Sequence, residues 1–218
     1  MVARSTTGPD LHAERAFWSA GWSWIAGVDE VGRGAMAGPL LAAAVVLPGD
    51  FIDDVAVEAL LAGVRDSKML TPDRRDRLVP VICDIALGVG IGIVEANELD
   101  RVGVGVANRL AMKRAVAALP FAPEALLLDA TTLDLELPQV GLIGGDRRCL
   151  SIAAASIVAK VTRDRLMVAW HEQDPRFGFA AHKGYCTTEH LAALRLHGPC
   201  ALHRRSFAPV GLVCGSVL

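Results

Sequence analysis

An α/β fold follows from three features of the amino-acid sequence. Segments with strand character open the chain and then alternate with helical ones, the order expected of α/β proteins. Two short runs, Trp24 to Val28 and Ala125 to Leu128, are apolar at every position, which fits central strands covered on both faces. Leu40 to Leu47, closed by Pro48-Gly49, follows the first run closely enough to be its hairpin partner.

The remaining elements fall in order around these runs. Ser5 to Gly21 is polar, mildly helical from Leu11 to Ala20, and expected at the periphery. Asp53 to Ala62 suits a short helix. After the polar loop Arg65-Asp66-Ser67-Lys68, Thr71 as N-cap and Pro72 at the first helical position mark a helix start. Ala86 to Ala96 alternates Gly with Val and Ile, a third strand. Val102 to Leu119 reads as an Ala-rich helix carrying Asn108, Lys113 and Arg114, stopped by Pro120. Gln139 to Ile143 reads as a strand and Gly144-Gly145-Asp146 as a turn. Ser151 to Glu172 is a long helix, and its small opening residues allow close approach of another backbone or a ligand. Thr187 caps a helix through about His197, ended by Gly198-Pro199.

At 218 residues the chain suits one domain, with a core over about 22–170 and a helical C-terminal region over about 171–218. Apolar residues make up 52% and charged residues 21%, which excludes a disordered chain. No apolar run reaches the roughly 18 residues of a membrane span, and no apolar core follows Arg4 as in a signal peptide. Five widely spaced cysteines without a C-x-x-C point to free thiols in a reducing cytosol, not to zinc or disulfides. A cytoplasmic monomer is the expectation. The net charge of −2 argues mildly against nucleic-acid binding. Basic residues do cluster at Arg74-Arg75-Arg77, Arg147-Arg148, Arg163-Arg165 and His203-Arg204-Arg205, each of which reads singly as a solvated face.

The chemistry centres on Gly27-Val28-Asp29-Glu30-Val31-Gly32-Arg33-Gly34. Two carboxylates stand at a strand end, and a Gly-Arg-Gly turn follows at once. Glycines let backbone N–H groups approach a ligand, and Arg33 offers a planar donor fork for phosphate or sugar oxygens. Bare carboxylates would repel a phosphate, so a divalent cation between them is the natural resolution. Neighbouring strand residues point to opposite faces, so Asp29 and Glu30 can share a site only where the strand ends or bulges. Asp129 closes the second apolar run in the same way, and Asp146 sits on a glycine turn. Hard oxygen donors of this kind select Mg²⁺ or Mn²⁺, and two such ions about 4 Å apart can cleave a phosphodiester.

From about Trp24 to Phe207 the chain resembles the ribonuclease HII family, the type 2 ribonucleases H. The resemblance rests on Asp29 to Gly34, Asp66-Ser67-Lys68, Leu128-Asp129, Gly145-Asp146, Ala154 to Asp164, His182-Lys183-Gly184-Tyr185 and His203 to Phe207, in that order. It implies a ribonuclease H-like mixed sheet flanked by helices, with Asp29 and Asp129 at adjacent strand ends and the C-terminal helices beside the groove. It also implies cleavage of RNA in RNA–DNA hybrids and at single ribonucleotides embedded in duplex DNA. By the same resemblance Asp29, Glu30, Asp129 and Asp146 hold the metal. Gly32, Arg33 and Gly34 read the ribose 2′-hydroxyl, Tyr185 stacks on the following sugar, and Lys68, Ser156 and Lys160 contact phosphates. Cys186 and Ala130 stand where the family commonly has glycine, which bears on local backbone angles. Cys186 is expected to pack and not to act as a nucleophile. Asp164 is expected to be structural, with Arg163 and Arg165 as partners.

Two other readings compete. Gly32-x-Gly34-x-x-Ala37 with Asp53 about 20 residues on fits a dinucleotide fingerprint, but Pro39 would meet the helix that must follow and two acids would face the pyrophosphate. A non-catalytic nucleic-acid-binding module explains the basic clusters but not the acids, which weaken phosphate binding without metal.

Overall fold

A computed structural model describes residues 8–49, 57 and 59–215 of the chain. Five strands form one mixed sheet: β1 (Ile25–Val31), β2 (Leu40–Val46), β3 (Gly88–Val94), β4 (Ala125–Asp129) and β5 (Gln139–Leu142), in spatial order β3-β2-β1-β4-β5. The β1–β2 and β2–β3 pairs are antiparallel; β1–β4 and β4–β5 are parallel. The described helices are α1 (His12–Ser19), α2 (Pro72–Ile85), α3 (Ala96–Val102), α4 (Val104–Ala117), α5 (Leu150–Gln173), α6 (Phe179–His182), α7 (Thr188–His197) and α8 (Ala208–Val213). The helix expected over 53–62 lies largely outside the described residues, as does Asp53. No described helix is long and apolar enough to cross a membrane.

The apolar runs are strands because both of their faces are covered. Alternate residues point to opposite sides. Ile25, Leu41, Ala43, Val45 and Leu127 pack with Ile152, Ala155 and Ala159 of α5 and Ile82 of α2. Ala26, Val28, Leu40, Ala42, Leu126 and Leu128 pack with Ala107, Ala111 and Met112 of α4. Helix α5 lies almost on the backbone of β1, because a Cβ at Gly27 would overlap the Ser151 main chain. The small residues at the start of α5 thus serve backbone approach, as their size suggests.

Local signals place the ends. The Thr71 hydroxyl accepts from the Arg74 amide at the start of α2, and the Thr187 hydroxyl accepts from the His190 amide at the start of α7. The helix expected over 102–119 is α4, and the short helix α3 before it, which ends at Gly103, was not expected.

One expectation is overturned outright. Helix α1 is not peripheral: Leu11 and Trp18 belong to the core, and Glu14 is buried. The Glu14 Oε1 atom accepts from the Ser151 amide at 2.8 Å and from the Cys149 thiol at 3.1 Å. Helix α5 has no side-chain cap of its own, so a carboxylate from α1 satisfies its first turn. Burial pushes the Glu14 carboxyl above its ordinary range, and its bonds to Ser151 and Cys149 oppose the rise.

Gly27→Ala should therefore destabilise the protein by about 1–3 kcal/mol, the usual cost of overpacking a full core. Urea unfolding reads this as a lower midpoint at unchanged slope; an unchanged midpoint would mean that α5 does not depend on this approach.

Candidate active site

Strand β1 does not end or bulge at its acids. Its register with β2 runs on through Asp29↔Ala43, Glu30↔Ala42 and Val31↔Leu41. The two carboxylates consequently face opposite sides of the sheet. Asp29 lies beside Ser156 on α5, while Glu30 lies beside Asn108 on α4. They share one site because the cleft wraps across the end of the sheet. The parallel β4 pairs Leu128 with Val28, one residue before Asp129 and Asp29. Asp129 is held in turn by the Gly145 amide, which donates to its Oδ1 at 2.8 Å.

A cleft of about 480 Å³ lies there, lined by Asp29, Glu30, Asp129, the Gly32-Arg33-Gly34 turn, Ser67, Lys68, Ser156, Lys160 and Tyr185. Every residue expected to touch substrate lines it, as do three of the four expected acids. Asp146 does not. It is 3% exposed behind Lys68, whose Nζ donates to its Oδ2 at 3.3 Å, although the charge of Asp129 still reaches it and helps to raise its carboxyl.

The turn after the acids is built by two arginines. Arg163 is fully buried, and its Nε, Nη1 and Nη2 donate to the carbonyls of Pro39, Lys183 and Ala37 at 2.9, 2.9 and 3.0 Å. Gly32, at φ +84°, lies so close to this guanidinium that a Cβ would overlap Nε. Arg204, also fully buried, donates from Nε to Gly38 and from Nη1 to Arg33. The solvated-face reading is therefore wrong for both. Nor does Arg163 pair with Asp164, which instead takes Lys160 at 2.8 Å and Arg75 at 3.7 Å, while Arg165 takes Asp76. The Met36 and Ala37 amides donate to the Gly184 carbonyl. This ties the turn to the Tyr185 loop, and the Arg163 guanidinium lies 5.4 Å from the Tyr185 ring centre.

The electrostatics show an uncompensated negative site. Burial, then Glu30, with Asp129 adding, holds the Asp29 carboxyl well above its ordinary range against the Ser156 hydrogen bond. Burial and then Asp129 raise Glu30, with Arg33 opposing. Burial and then Asp66 raise Asp146, against Lys68. Burial draws Lys68 down, but Asp66 and Asp146 outweigh it and the net shift is upward. Among the described residues no group of three or more His, Cys, Asp or Glu side chains is already drawn into a metal cage. The donor set nevertheless fits a hard divalent cation: carboxylate oxygens gathered at one cleft, among which Asp29 and Glu30 hold their protons more tightly for want of positive charge.

Three residues were not singled out from the sequence. Ser67 bonds the Ser156 hydroxyl at 2.9 Å, Asp66 anchors Arg147 and the Lys68 amide, and buried Asn108 lies beside Glu30 and opposes the rise of its carboxyl. Asp66-Ser67-Lys68 was visible as a motif, whereas nothing local marks Asn108. Of the two glycine departures, Ala130 does take a left-handed φ of +51°, while Cys186 is not among the residues with positive φ and is exposed. The helix that a dinucleotide site needs after its glycines is absent, for β2 returns antiparallel instead.

The chain is similar to known proteins over most of its length. The family model for ribonuclease HII matches residues 26–210. The chain is 52% identical over 204 residues to ribonuclease HII of Chloroflexus aurantiacus, covering 93% of the chain and 94% of that relative. It is also 52% identical over 200 residues to ribonuclease HII of Geobacillus thermodenitrificans, covering 92% and 74%. The crystal structure of ribonuclease H2 from Pyrococcus horikoshii OT3 superposes with a TM-score of 0.71 at 25% identity, covering 87% of this chain and 96% of that one.

The raised acids carry a sign for stability. A carboxyl whose folded pKa exceeds its unfolded value contributes fully below the unfolded pKa, about 4, and that contribution is lost as pH rises through the folded pKa. Asp29→Asn should accordingly raise the metal-free melting temperature at pH 7, by on the order of 3 °C, and the gain should vanish near pH 4. Melting curves at the two pH values check it; an equal or lower melting temperature at pH 7 would contradict the repulsion.

Proposed function

The chain belongs to the ribonuclease HII family, and from that membership we propose a two-ion endonuclease that cuts at single ribonucleotides in duplex DNA as well as within longer hybrids. As a member of the family it is an endoribonuclease, a hydrolase acting on the RNA strand of RNA–DNA hybrids, and its chemistry depends on a divalent cation. The observation that carries the finer reading is the gathering of acids, Gly-Arg-Gly turn, Lys68, Ser156, Lys160 and Tyr185 around one cleft.

Asp29, Glu30 and Asp129, with Asp146 beside them, would hold Mg²⁺ or Mn²⁺. Ions held there would supply an activated water and neutralise the leaving oxygen. The protein's own groups set where that chemistry falls. Lys68, 75% exposed at its side chain and anchored by Asp66 and Asp146, presents a positive charge to an incoming phosphate. Ser156 and Lys160 offer a hydroxyl and a second cation on α5. The Gly32–Gly34 backbone reaches the ribose with no side chain between, and the 2′-hydroxyl is the group that separates RNA from DNA there. Tyr185, fixed over Arg163 and Lys160, stacks on the sugar that follows. Phosphate contacts supply affinity and its salt dependence; the hydroxyl and the tyrosine supply the choice of bond.

Single-turnover cleavage of a duplex with one ribonucleotide tests this, with binding measured in Ca²⁺. Wild type should cut beside the ribonucleotide and leave its 2′-deoxy counterpart intact, because a site built to pair a hydroxyl leaves its own groups unpaired without one. Asp129→Asn should abolish cleavage with the fold intact. Tyr185→Ala should slow cleavage tenfold or more, as for loss of a stacking contact, and weaken binding much less. Equal losses in binding and cleavage, or comparable cutting of all-DNA duplex, would refute the junction reading.

A further inference from the structure

The Tyr185 backbone is held by groups that the reading above leaves unused. His190 of α7 and His203 of the following loop are 0% and 2% exposed, and their Nε2 atoms lie 3.1 Å apart. At one end of the pair the Cys200 amide donates to His203 Nδ1 at 3.1 Å. At the other, His190 Nδ1 lies 2.9 Å from the Tyr185 carbonyl. These ends fix every proton between them. An amide can only donate, so His203 Nδ1 accepts and its proton sits on Nε2; that proton goes to His190 Nε2, and the His190 proton on Nδ1 goes to the carbonyl, which can only accept. The Cys200 thiol, 3.1 Å from the same Nδ1, suits an acceptor there as well. His182 stacks on His190 at 4.2 Å between ring centres and obeys the same logic, taking the Gly184 amide on Nδ1 and giving its Nε2 proton to the Phe177 carbonyl.

We infer that His190 and His203 form a neutral, one-directional hydrogen-bond relay in which His190 is the positioning residue that sets Tyr185 against the substrate sugar. This rests on the reading of Tyr185 as a substrate contact. Each ring has one donor and one acceptor, and both are used, so a second proton on either would break a bond at one end. Phe179 meets the His190 ring edge-on, and Phe177 lies 4.9 Å from the His203 ring. Burial pushes His190 down to about 4 against the pull of the Tyr185 carbonyl, and burial with His190 beside it pushes His203 down to about 4. The titratable groups around the pair are His182, Cys200 and, across Phe177, His197. The relay joins the loop bearing Tyr185 to the segment whose Arg204 clamps the Gly-Arg-Gly turn. The two halves of the expected junction reader are thus braced against one another.

Long-range ¹H–¹⁵N spectra of the full chain test the relay directly. At pH 7 and at pH 5.5, below the ordinary imidazole range, His190 should be neutral with its proton on Nδ1 and His203 neutral with its proton on Nε2. The opposite tautomers, or charged rings at pH 5.5, would overturn the relay. Its role is tested by single-turnover cleavage of the one-ribonucleotide duplex. His190→Phe removes the donor and should slow cleavage about tenfold, the scale of one lost buried hydrogen bond, with binding in Ca²⁺ nearly unchanged. His190→Asn, whose amide can stand in for Nδ1–H, should recover most of the rate. In a Tyr185→Ala background His190→Phe should add nothing; losses that multiply would show that His190 does not act through Tyr185. If Tyr185→Ala alone left cleavage unchanged, the substrate-contact reading would fall and the positioning role with it, while the tautomers would still decide whether the relay exists.

Discussion

The site hangs on the buried guanidinium of Arg163. It reaches from α5 to the carbonyls of Ala37, Pro39 and Lys183, and so fastens the segment after the acids to the segment before Tyr185. A buried charge costs several kcal/mol to desolvate, and burial does draw the Arg163 guanidinium below its ordinary value. That cost is offset only by a partner set that matches the planar fork, which a lysine cannot engage in the same way. Gly32 follows from the same constraint, since its positive φ and its missing side chain both make room for the guanidinium. The turn that faces the cleft is thus shaped from behind, by a residue that never enters it.

A second tension runs through the carboxylates. The core of β1 and β4 is wholly apolar up to Leu128 and Val28, and then the sheet presents Asp29, Glu30 and Asp129 to one cleft. Burial raises the proton affinities of Asp29 and Glu30, the charge of Glu30 raises that of Asp29 further, and the charge of Asp129 acts on both. The fold tolerates this because the strands are fixed elsewhere: by α5 lying on Gly27, and by Glu14 of α1 holding the first turn of α5. Function at the sheet end therefore depends on stability built at the opposite end of the same helix–strand contact.

Much of this was legible in the sequence where the signal is periodic or local. The apolar runs of β1 and β4, the glycine alternation of β3, and the threonine caps of α2 and α7 each have a short-range cause. The acids and the Gly-Arg-Gly turn were legible as a motif. What was not legible is long-range pairing of single charged residues. Arg163, Arg204 and His203 sit in basic clusters that look like solvated faces, yet they are buried against backbone carbonyls and another histidine. Glu14 lies on what reads as a peripheral helix, and its partner is 137 residues away. The sharing of one cleft by Asp29 and Glu30 was expected to need a strand end or bulge. It needs neither, because strand alternation sends them to opposite faces and the cleft spans both.

Amide hydrogen exchange on Arg163→Lys tests the central dependence most directly. The Met36 and Ala37 amides bond to the Gly184 carbonyl and the Gly38 amide to that of Leu202, beside the Ala37, Pro39 and Lys183 carbonyls that the guanidinium holds. The account predicts that these amides lose protection by a large factor, about 100-fold for roughly 3 kcal/mol of local stability, while the amides of β1 and β2 keep theirs. A uniform loss across the sheet, or unchanged protection at residues 36–38, would contradict it.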